Sequence, residues 1–187
     1  MAFGRPERNG RFRMAEQRGL VLVNTGRGKG KTTAALGAAL RAVGQGWRVL
    51  MIQFIKANTD TGEYRAAGSL DGLEIRTLGL GLIRQGADLE PHRAKAREAW
   101  EKARAEALSG RWDMLILDEI MAAMGRGFLE PAELASLIRE RPADLVLILT
   151  GRNCPPEIAD LADTVTDMRM VKHHAAAGRM AAPGVEY

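Results

Sequence analysis

The sequence predicts an α/β protein with a mostly parallel six-stranded sheet flanked by helices. Along its 187 residues, short runs rich in Val, Ile, Leu and Met alternate with helical patterns. This alternation is typical of parallel strands joined by crossover helices. Several runs are almost continuously apolar, as strands buried on both faces should be. A glycine-rich turn between the first strand and the first helix adds a third indication of this class.

The elements follow one another with clear boundaries. The predicted strands cover residues 20–25, 48–54, 73–78, 113–118, 144–150 and 164–169. The predicted helices cover residues 31–44, 89–109, 131–140 and 155–162. Proline stands near the start of the last two helices, where its missing N–H is harmless. Two stretches break the alternation: the polar, turn-rich residues 55–70 and residues 79–87, which contain three glycines.

Composition limits the class of protein. Apolar residues make up 46% and charged residues 27% of the chain, which is typical of a soluble globular protein. No apolar run reaches the roughly 18 residues that a membrane span needs. The N-terminal stretch lacks the apolar core of a secretory signal. The single cysteine, Cys154, suits a reducing compartment, so we expect a cytoplasmic protein without a membrane partner.

The positive charge is concentrated at the N-terminus. Residues 1–18 contain five Arg and two Glu, and the remainder holds 22 basic against 21 acidic residues. We therefore expect a basic N-terminal arm over residues 1–18 and a single domain over residues 19–187. The arm is either a solvated tail or a segment that orders over a ligand or partner. With 5% aromatic residues and a nearly neutral body, the chain is not expected to bind nucleic acid.

The segment TGRGKGKTT predicts a phosphate-binding loop. Glycines at a strand-to-helix turn let backbone N–H groups converge on phosphates, and the helix N-terminus adds partial positive charge. Gly30, Lys31 and Thr32 match the end of the pattern GxxxxGK[ST], in which the lysine reaches phosphate and the hydroxyl binds Mg²⁺. Five residues before Gly30, however, stands Thr25, and Gly26 is only four before it. The position of the loop between strand and helix supports the prediction despite this spacing.

Other strand ends carry further candidates. DMLILDEI ends an apolar run in Asp118 and Glu119, which could hold Mg²⁺ directly or through water. Arg152 follows the fifth strand, at the same edge as the loop, and could stabilise charge on phosphates or lie at a surface turn. Cys154 is more simply interpreted as a small buried residue than as a nucleophile. The adjacent His173 and His174 lack the spacing of a helical metal pair.

The chain resembles the P-loop ATP:corrinoid adenosyltransferases from about Gly19 to Tyr187. The resemblance rests on six segments in this order: TGRGKGKTTAALGAALRAVGQG, QFIK, LDEI, LTGRN, LADTVTDMRMVKH and GVEY. It implies a RecA-like P-loop NTPase fold, a homodimer and a flavoprotein as the source of electrons. It also implies transfer of the 5′-deoxyadenosyl group of ATP to the Co(I) of a reduced corrinoid, cobalamin or cobyrinic acid a,c-diamide, with release of triphosphate.

The resemblance also implies roles for particular residues. The catalytic residues would be Lys31, Glu119 and Arg152, and the ligands of Mg²⁺ or Mn²⁺ would be Thr32, Asp118 and Glu119. The residues implied to bind ATP or the corrinoid are Gly26, Arg27, Gly28, Lys29, Gly30, Lys31, Thr32, Thr33, Leu80, Leu82, Lys172 and His173.

The chain departs from the family pattern at residues 79–87, a second segment that contains three glycines. Some members have aromatic residues there, which pack against the lower face of the corrinoid, whereas this chain has Leu80 and Leu82. Leucine offers less area and no ring face. This difference makes a corrinoid without the lower nucleotide loop a candidate for an equal or better substrate. Without the resemblance, the Asp118–Glu119 pair also suits a RecA-like ATPase, in which the glutamate activates water.

Overall fold

The computed structural model describes residues 19–83 and 86–186, so the predicted basic arm at residues 1–18 lies outside the described residues. Within this part of the chain, six strands form one sheet. They are β1 (Val21–Thr25), β2 (Val49–Gln53), β3 (Leu73–Thr77), β4 (Met114–Asp118), β5 (Val146–Thr150) and β6 (Thr164–Asp167). Their order is β3-β2-β4-β5-β1-β6, and every pair of neighbours is parallel. The predicted α/β class is confirmed.

The helices differ from the predicted ones in three places. They are α1 (Lys31–Gly44), α2 (Gly62–Ala67), α3 (Glu90–Leu108), α4 (Ile120–Met124), α5 (Pro131–Glu140) and α6 (Pro156–Ala159), followed by a 3₁₀ helix (His174–Ala177). Neither α2 nor α4 was predicted, because each is too short to show a helical period. Helix α6 ends earlier than predicted, and Asp163 beyond it accepts a hydrogen bond from the backbone N–H of Val21 at 2.7 Å.

Helices cover both faces of the sheet. Ala35 and Ala39 of α1 pack on one face with Met51 and Ile116. Helices α3, α4 and α5 pack on the other face, where Trp100 joins the apolar side chains of the central strands. Burial on both faces explains the continuous apolar runs in β2, β4 and β5. The edge strand β6 is exposed along its whole length. In the described part of the chain, no helix is long and apolar enough to span a bilayer.

Parallel pairing places the carboxyl ends of all strands at one edge of the sheet. The last residues of the strands are Thr25, Gln53, Thr77, Asp118, Thr150 and Asp167. All six are polar, although β1, β2, β4 and β5 are otherwise largely apolar. In open α/β sheets ligands bind outside this edge.

Candidate active site

The loop of residues 26–30 joins β1 to α1 and has a backbone that favours glycine. Gly26 and Gly30 adopt φ angles of 97° and 114°, which residues with a Cβ rarely adopt. No side chain caps α1 within the described structure. The N–H groups of the first helical turn therefore face the mouth of the loop without a side-chain acceptor, as an anion-binding helix end requires.

Lys31 lies inside this loop. Its Nζ donates hydrogen bonds to the carbonyl oxygens of Gly26 at 3.0 Å and Gly28 at 2.8 Å, and the residue is only 7% exposed. Burial lowers the pKa of Lys31; the negative charge of Glu119 opposes this effect, and Arg152 adds to it. The ammonium group is thus held at the centre of the loop by uncharged acceptors, which phosphate oxygens can replace.

Asp118 connects the loop to the rest of the sheet. It is completely buried, and its Oδ1 accepts hydrogen bonds from the hydroxyls of Thr32 at 2.8 Å and Thr150 at 2.7 Å. Its Oδ2 lies 3.4 Å from the amide nitrogen of Gln53. The Thr150 hydroxyl in turn accepts from the backbone N–H of Glu119 at 2.9 Å. One carboxylate therefore ties α1 to the ends of β2, β4 and β5.

Glu119 follows Asp118 in an unusual backbone conformation. Its φ of 59° and ψ of 25° fall in the left-handed region, which is uncommon for a residue other than glycine and is enriched at functional sites. Burial raises the pKa of Glu119, and so does the charge of Asp118; Lys31, Arg152 and Lys56 act in the opposite direction. The Glu119 carboxylate therefore lies within reach of the charges of all three cations.

The donor set beside the loop fits a magnesium ion shared with a phosphate. Mg²⁺ is usually held by one or two carboxylates, with water and substrate phosphates completing its shell. Thr32, Asp118 and Glu119 offer a hydroxyl and two carboxylates next to the loop of residues 26–30. The described residues contain no cluster of three or more His, Cys, Asp or Glu that would hold a metal by itself. This donor set suits an ion that arrives with its nucleotide.

The outer wall of the loop comes from the segment after β6. The backbone N–H of Gly28 donates to the carbonyl oxygen of Met168 at 2.5 Å. A Cβ at Gly28 would lie 2.5 Å from that oxygen, and a Cβ at Gly26 would overlap Asp167. Glycine is therefore required at both positions for packing of the loop against this wall.

We expect Gly28→Ala to weaken nucleotide binding about tenfold or more, because the loop must move off Met168 to make room for the methyl group. Moving this backbone contact should also lower the free energy of unfolding by about 1–3 kcal/mol. Titration calorimetry with Mg-ATP and urea unfolding measure the two effects.

Gly37→Ala is the matched control for this substitution. Gly37 lies on the exposed side of α1, and a Cβ there would meet nothing within 4 Å. Alanine in a helix interior should raise stability by about 0.5–1 kcal/mol and leave binding unchanged. Unaltered ATP affinity in Gly28→Ala would contradict the requirement for close contact between Gly28 and Met168.

The structure brings only some of the predicted site residues together. Thr32 and Lys31 lie beside Asp118 and Glu119, and the charge of Arg152 acts on both Lys31 and Glu119. Lys29 is engaged elsewhere: its Nζ donates to the carbonyl oxygen of Val185 at 2.8 Å. Arg27 in the loop and Thr33 in the first turn of α1 are exposed.

The other predicted residues lie further along the same edge or on the C-terminal segment. Leu80 and Leu82 follow β3 and are 47% and 87% exposed. Lys172 is exposed, and His173 Nδ1 accepts from the backbone N–H of Ala175 at 3.2 Å, which caps the 3₁₀ helix. Cys154 is half-buried, and burial raises the pKa of its thiol, so the interpretation of this residue as structural is supported.

Four residues near this edge were not predicted from the sequence as part of the site. Thr150 and Gln53 are buried beside Asp118, and a polar residue ending an apolar strand was the available signal. Lys56 forms an ion pair with Glu63, and its carbonyl oxygen accepts from the N–H of Gly79 at 3.0 Å. Glu186 pairs with Lys29 at 3.0 Å, a contact between residues too far apart in the chain for any local pattern to indicate.

The chain is similar to known proteins over most of its length. The family model for ATP:corrinoid adenosyltransferases (BtuR/CobO/CobP) matches residues 17–187. The corrinoid adenosyltransferase of Escherichia coli strain K12 is 39% identical over 172 residues, which are 92% of this chain and 87% of that protein. The corrinoid adenosyltransferase CobA of Salmonella typhimurium is 38% identical over the same shares of the two chains. The corrinoid adenosyltransferase of Pseudomonas aeruginosa is 36% identical over 173 residues, 92% of this chain and 85% of that protein.

Proposed function

Because the chain belongs to the ATP:corrinoid adenosyltransferase family, we propose that it transfers the 5′-deoxyadenosyl group of ATP to Co(I) of a reduced corrinoid. Family membership makes it a corrinoid adenosyltransferase. The adenosyl donor, the oxidation state of cobalt and the roles of individual residues are the proposal. The observation that carries it is the 2.8 Å hydrogen bond from Thr32 to Asp118, which joins the glycine loop to the acidic strand end.

The proposed reaction is a displacement at carbon. The electron pair of Co(I) attacks the ribose C5′ and forms the cobalt–carbon bond. The bond between C5′ and the triphosphate oxygen breaks, and triphosphate leaves with the bonding electrons. Cobalt carries no proton to lose, so no side chain is needed as a general base. The protein has to align cobalt, C5′ and the departing oxygen, and to stabilise the charge that develops on the triphosphate.

The loop residues supply that stabilisation. Lys31 would exchange the carbonyl oxygens of Gly26 and Gly28 for phosphate oxygens, and the free N–H groups of the first turn of α1 would bind others. Lys29 and Arg152 would add positive charge at the outer phosphates. Mg²⁺ or Mn²⁺ held by Thr32, Asp118 and Glu119 would neutralise part of the charge on the leaving group.

The order of the strands supports an assignment of Leu80 and Leu82 to the corrinoid. Strand β3, which precedes them, is separated from β1 by β2, β4 and β5. Four strand spacings of about 4.8 Å make roughly 19 Å between the two loops. A triphosphate over β1 and a corrinoid over β3 would thus bring C5′ and cobalt together above β4 and β2. The N–H of Gly81 donates to the carbonyl oxygen of Ile55 at 2.8 Å, which fixes the segment that contains Leu80 and Leu82 against the end of β2.

We expect Leu80→Phe combined with Leu82→Trp to raise activity on cob(II)alamin supplied with a reductant. Aromatic rings would cover more of the lower corrinoid face and help to displace the lower ligand. At about 0.5–1.5 kcal/mol for an aromatic contact, the increase should be about threefold to tenfold. Activity on a corrinoid without the nucleotide loop should change less.

Leu108→Phe provides the matched control, because Leu108 is 41% exposed at the far end of α3. Adenosylcobalamin formation is followed by absorbance under anaerobic conditions. Equal rates for the double variant and the unaltered protein would contradict the assignment of these leucines.

An anaerobic assay with chemically reduced cob(I)alamin and Mg-ATP tests the proposed function. We expect loss of the Co(I) absorbance, formation of adenosylcobalamin and one intact triphosphate for each product molecule. The alternative is a RecA-like ATPase, in which Glu119 would activate water. The left-handed conformation of Glu119 and its raised pKa are also compatible with that role. Steady release of phosphate from ATP without any corrinoid product would favour that alternative.

The proposal includes a homodimer and a flavoprotein as electron donor, both implied by the family resemblance. Light scattering of the purified protein measures the first. Replacement of the chemical reductant by a reduced flavoprotein in the same assay measures the second.

A further inference from the structure

The C-terminal strap, residues 168–186, contacts the glycine loop of residues 26–30 at both of its ends. At its start, the carbonyl oxygen of Met168 accepts the hydrogen bond from Gly28 at 2.5 Å. At its end, Val185 and Glu186 bind the side chain of Lys29. These two residues belong to the segment GVEY, to which the proposed reaction assigns no role.

The contact at Lys29 is made by a full negative charge. Lys29 Nζ lies 3.0 Å from Oε2 of Glu186, while Oε1 of the same carboxylate lies 3.3 Å from Nε2 of His174. Oε1 is buried and accepts no hydrogen bond within the described residues. The hydrogen bond from Lys29 lowers the pKa of Glu186, so the carboxylate is charged at neutral pH.

The two lysines of the loop therefore differ in what a phosphate must replace. Lys31 is held by two neutral carbonyl oxygens, which exert little repulsion on an incoming anion. Lys29 is held by the neutral carbonyl of Val185 and by the Glu186 carboxylate. A triphosphate bound to Lys29 would lie beside that carboxylate, and like charges this close repel each other.

We propose that Glu186 competes with the triphosphate for Lys29 and is displaced from the ammonium group when nucleotide binds. This inference rests on the proposed function, because it requires that the glycine loop binds the triphosphate of ATP. Glu186 lowers the affinity for ATP and for the product triphosphate alike. Its return to Lys29 replaces an outgoing phosphate oxygen and so favours product release.

Glu186→Gln tests the competition, because glutamine keeps the size of the side chain and removes its charge. Titration calorimetry of the whole protein with magnesium and inorganic triphosphate, without corrinoid, gives the dissociation constant. We expect it to fall about threefold to tenfold, as for an exposed ion pair together with the relief of charge repulsion. Lys29 keeps the Val185 carbonyl as an acceptor, so the strap stays in place.

Glu101→Gln is the matched control, because it removes the same charge from a side chain that is 66% exposed on α3 and 3.7 Å from Arg97. We expect its dissociation constant to equal that of the unaltered protein. In the unaltered protein, hydrogen exchange should become faster at residues 185 and 186 when triphosphate is added, because the contact with Lys29 opens. Thermal unfolding verifies that both variants fold.

The outcomes separate this inference from the proposed function. Equal or weaker triphosphate binding by Glu186→Gln, or equally tighter binding by Glu101→Gln, overturns the competition and leaves the proposed function intact. No binding of either ATP or triphosphate by the unaltered protein overturns both.

Discussion

Replacement of Lys31 by methionine is expected to lower the rate of corrinoid adenosylation about 100- to 1,000-fold, the usual effect of removing one donor that stabilises transition-state charge. The ammonium group is the innermost cation of the loop and lies within 3.0 Å of two backbone carbonyl oxygens. Methionine fills a similar volume without the charge, so the loop would keep its shape while the leaving group loses its central partner.

The stability of this variant should change little. Burial already lowers the pKa of Lys31, which means that the fold disfavours its charged form. The variant loses two hydrogen bonds, which lowers its stability, and no longer buries a charge, which raises it. We therefore expect the free energy of unfolding to change by no more than about 1 kcal/mol. Single-turnover anaerobic assays and urea unfolding measure the two quantities.

Lys102→Met is the control for this experiment. Lys102 is 48% exposed on α3 and pairs with Glu98, far in the chain from the loop. We expect unchanged activity. If Lys31→Met retained more than a tenth of the activity, the loop would have no central role in binding the leaving group.

The second large effect is expected at Asp118. In Asp118→Asn the charged acceptor of two hydroxyl hydrogen bonds becomes a neutral amide, and one of its atoms becomes a donor. Because the site is completely buried, the free energy of unfolding should fall by about 2–4 kcal/mol. Activity should fall at least about 100-fold, since Thr32 loses its charged acceptor and so does Thr150, whose hydroxyl accepts from the backbone N–H of Glu119. Urea unfolding and the anaerobic assay provide both measurements.

Glu119→Gln tests the role of Glu119 in the reaction without a loss of stability. Folding raises the pKa of Glu119, so this carboxyl group favours the folded state when protonated, and that contribution is lost as pH rises through its raised pKa. Glutamine removes this cost, and we expect equal or slightly higher stability at neutral pH, together with weaker magnesium dependence and lower activity. Asp118→Asn with unchanged stability, or Glu119→Gln with full activity and unchanged magnesium dependence, would contradict these roles.

Much of the fold could be predicted because its signals are local. Strands such as MLILD and VLILT are buried on both faces, so each is almost continuously apolar. The short helices α2 and α4 escaped prediction because six and five residues contain less than two turns. Helix α2 buries only Ala67, so its sequence shows no apolar stripe.

The candidate site was predictable in part for the same reason. The loop was recognisable because glycines and lysines between a strand and a helix suit phosphate binding in themselves. The pairing of Thr32 with Asp118 required knowledge of which strands are neighbours, since 86 residues separate the two. The role of Gly28 in packing against Met168 likewise depends on β6 lying beside β1.

The sequence by itself thus determined the α/β class, the glycine loop and the acidic strand end, because each arises from residues close together in the chain. Only the tertiary structure decided that Asp118 is shared by Thr32 and Thr150, and that Lys29 meets Glu186. These contacts depend on the order of the strands and on the return of the C-terminal strap to the glycine loop. These are properties of the whole packed chain, and no local pattern of residues contains them.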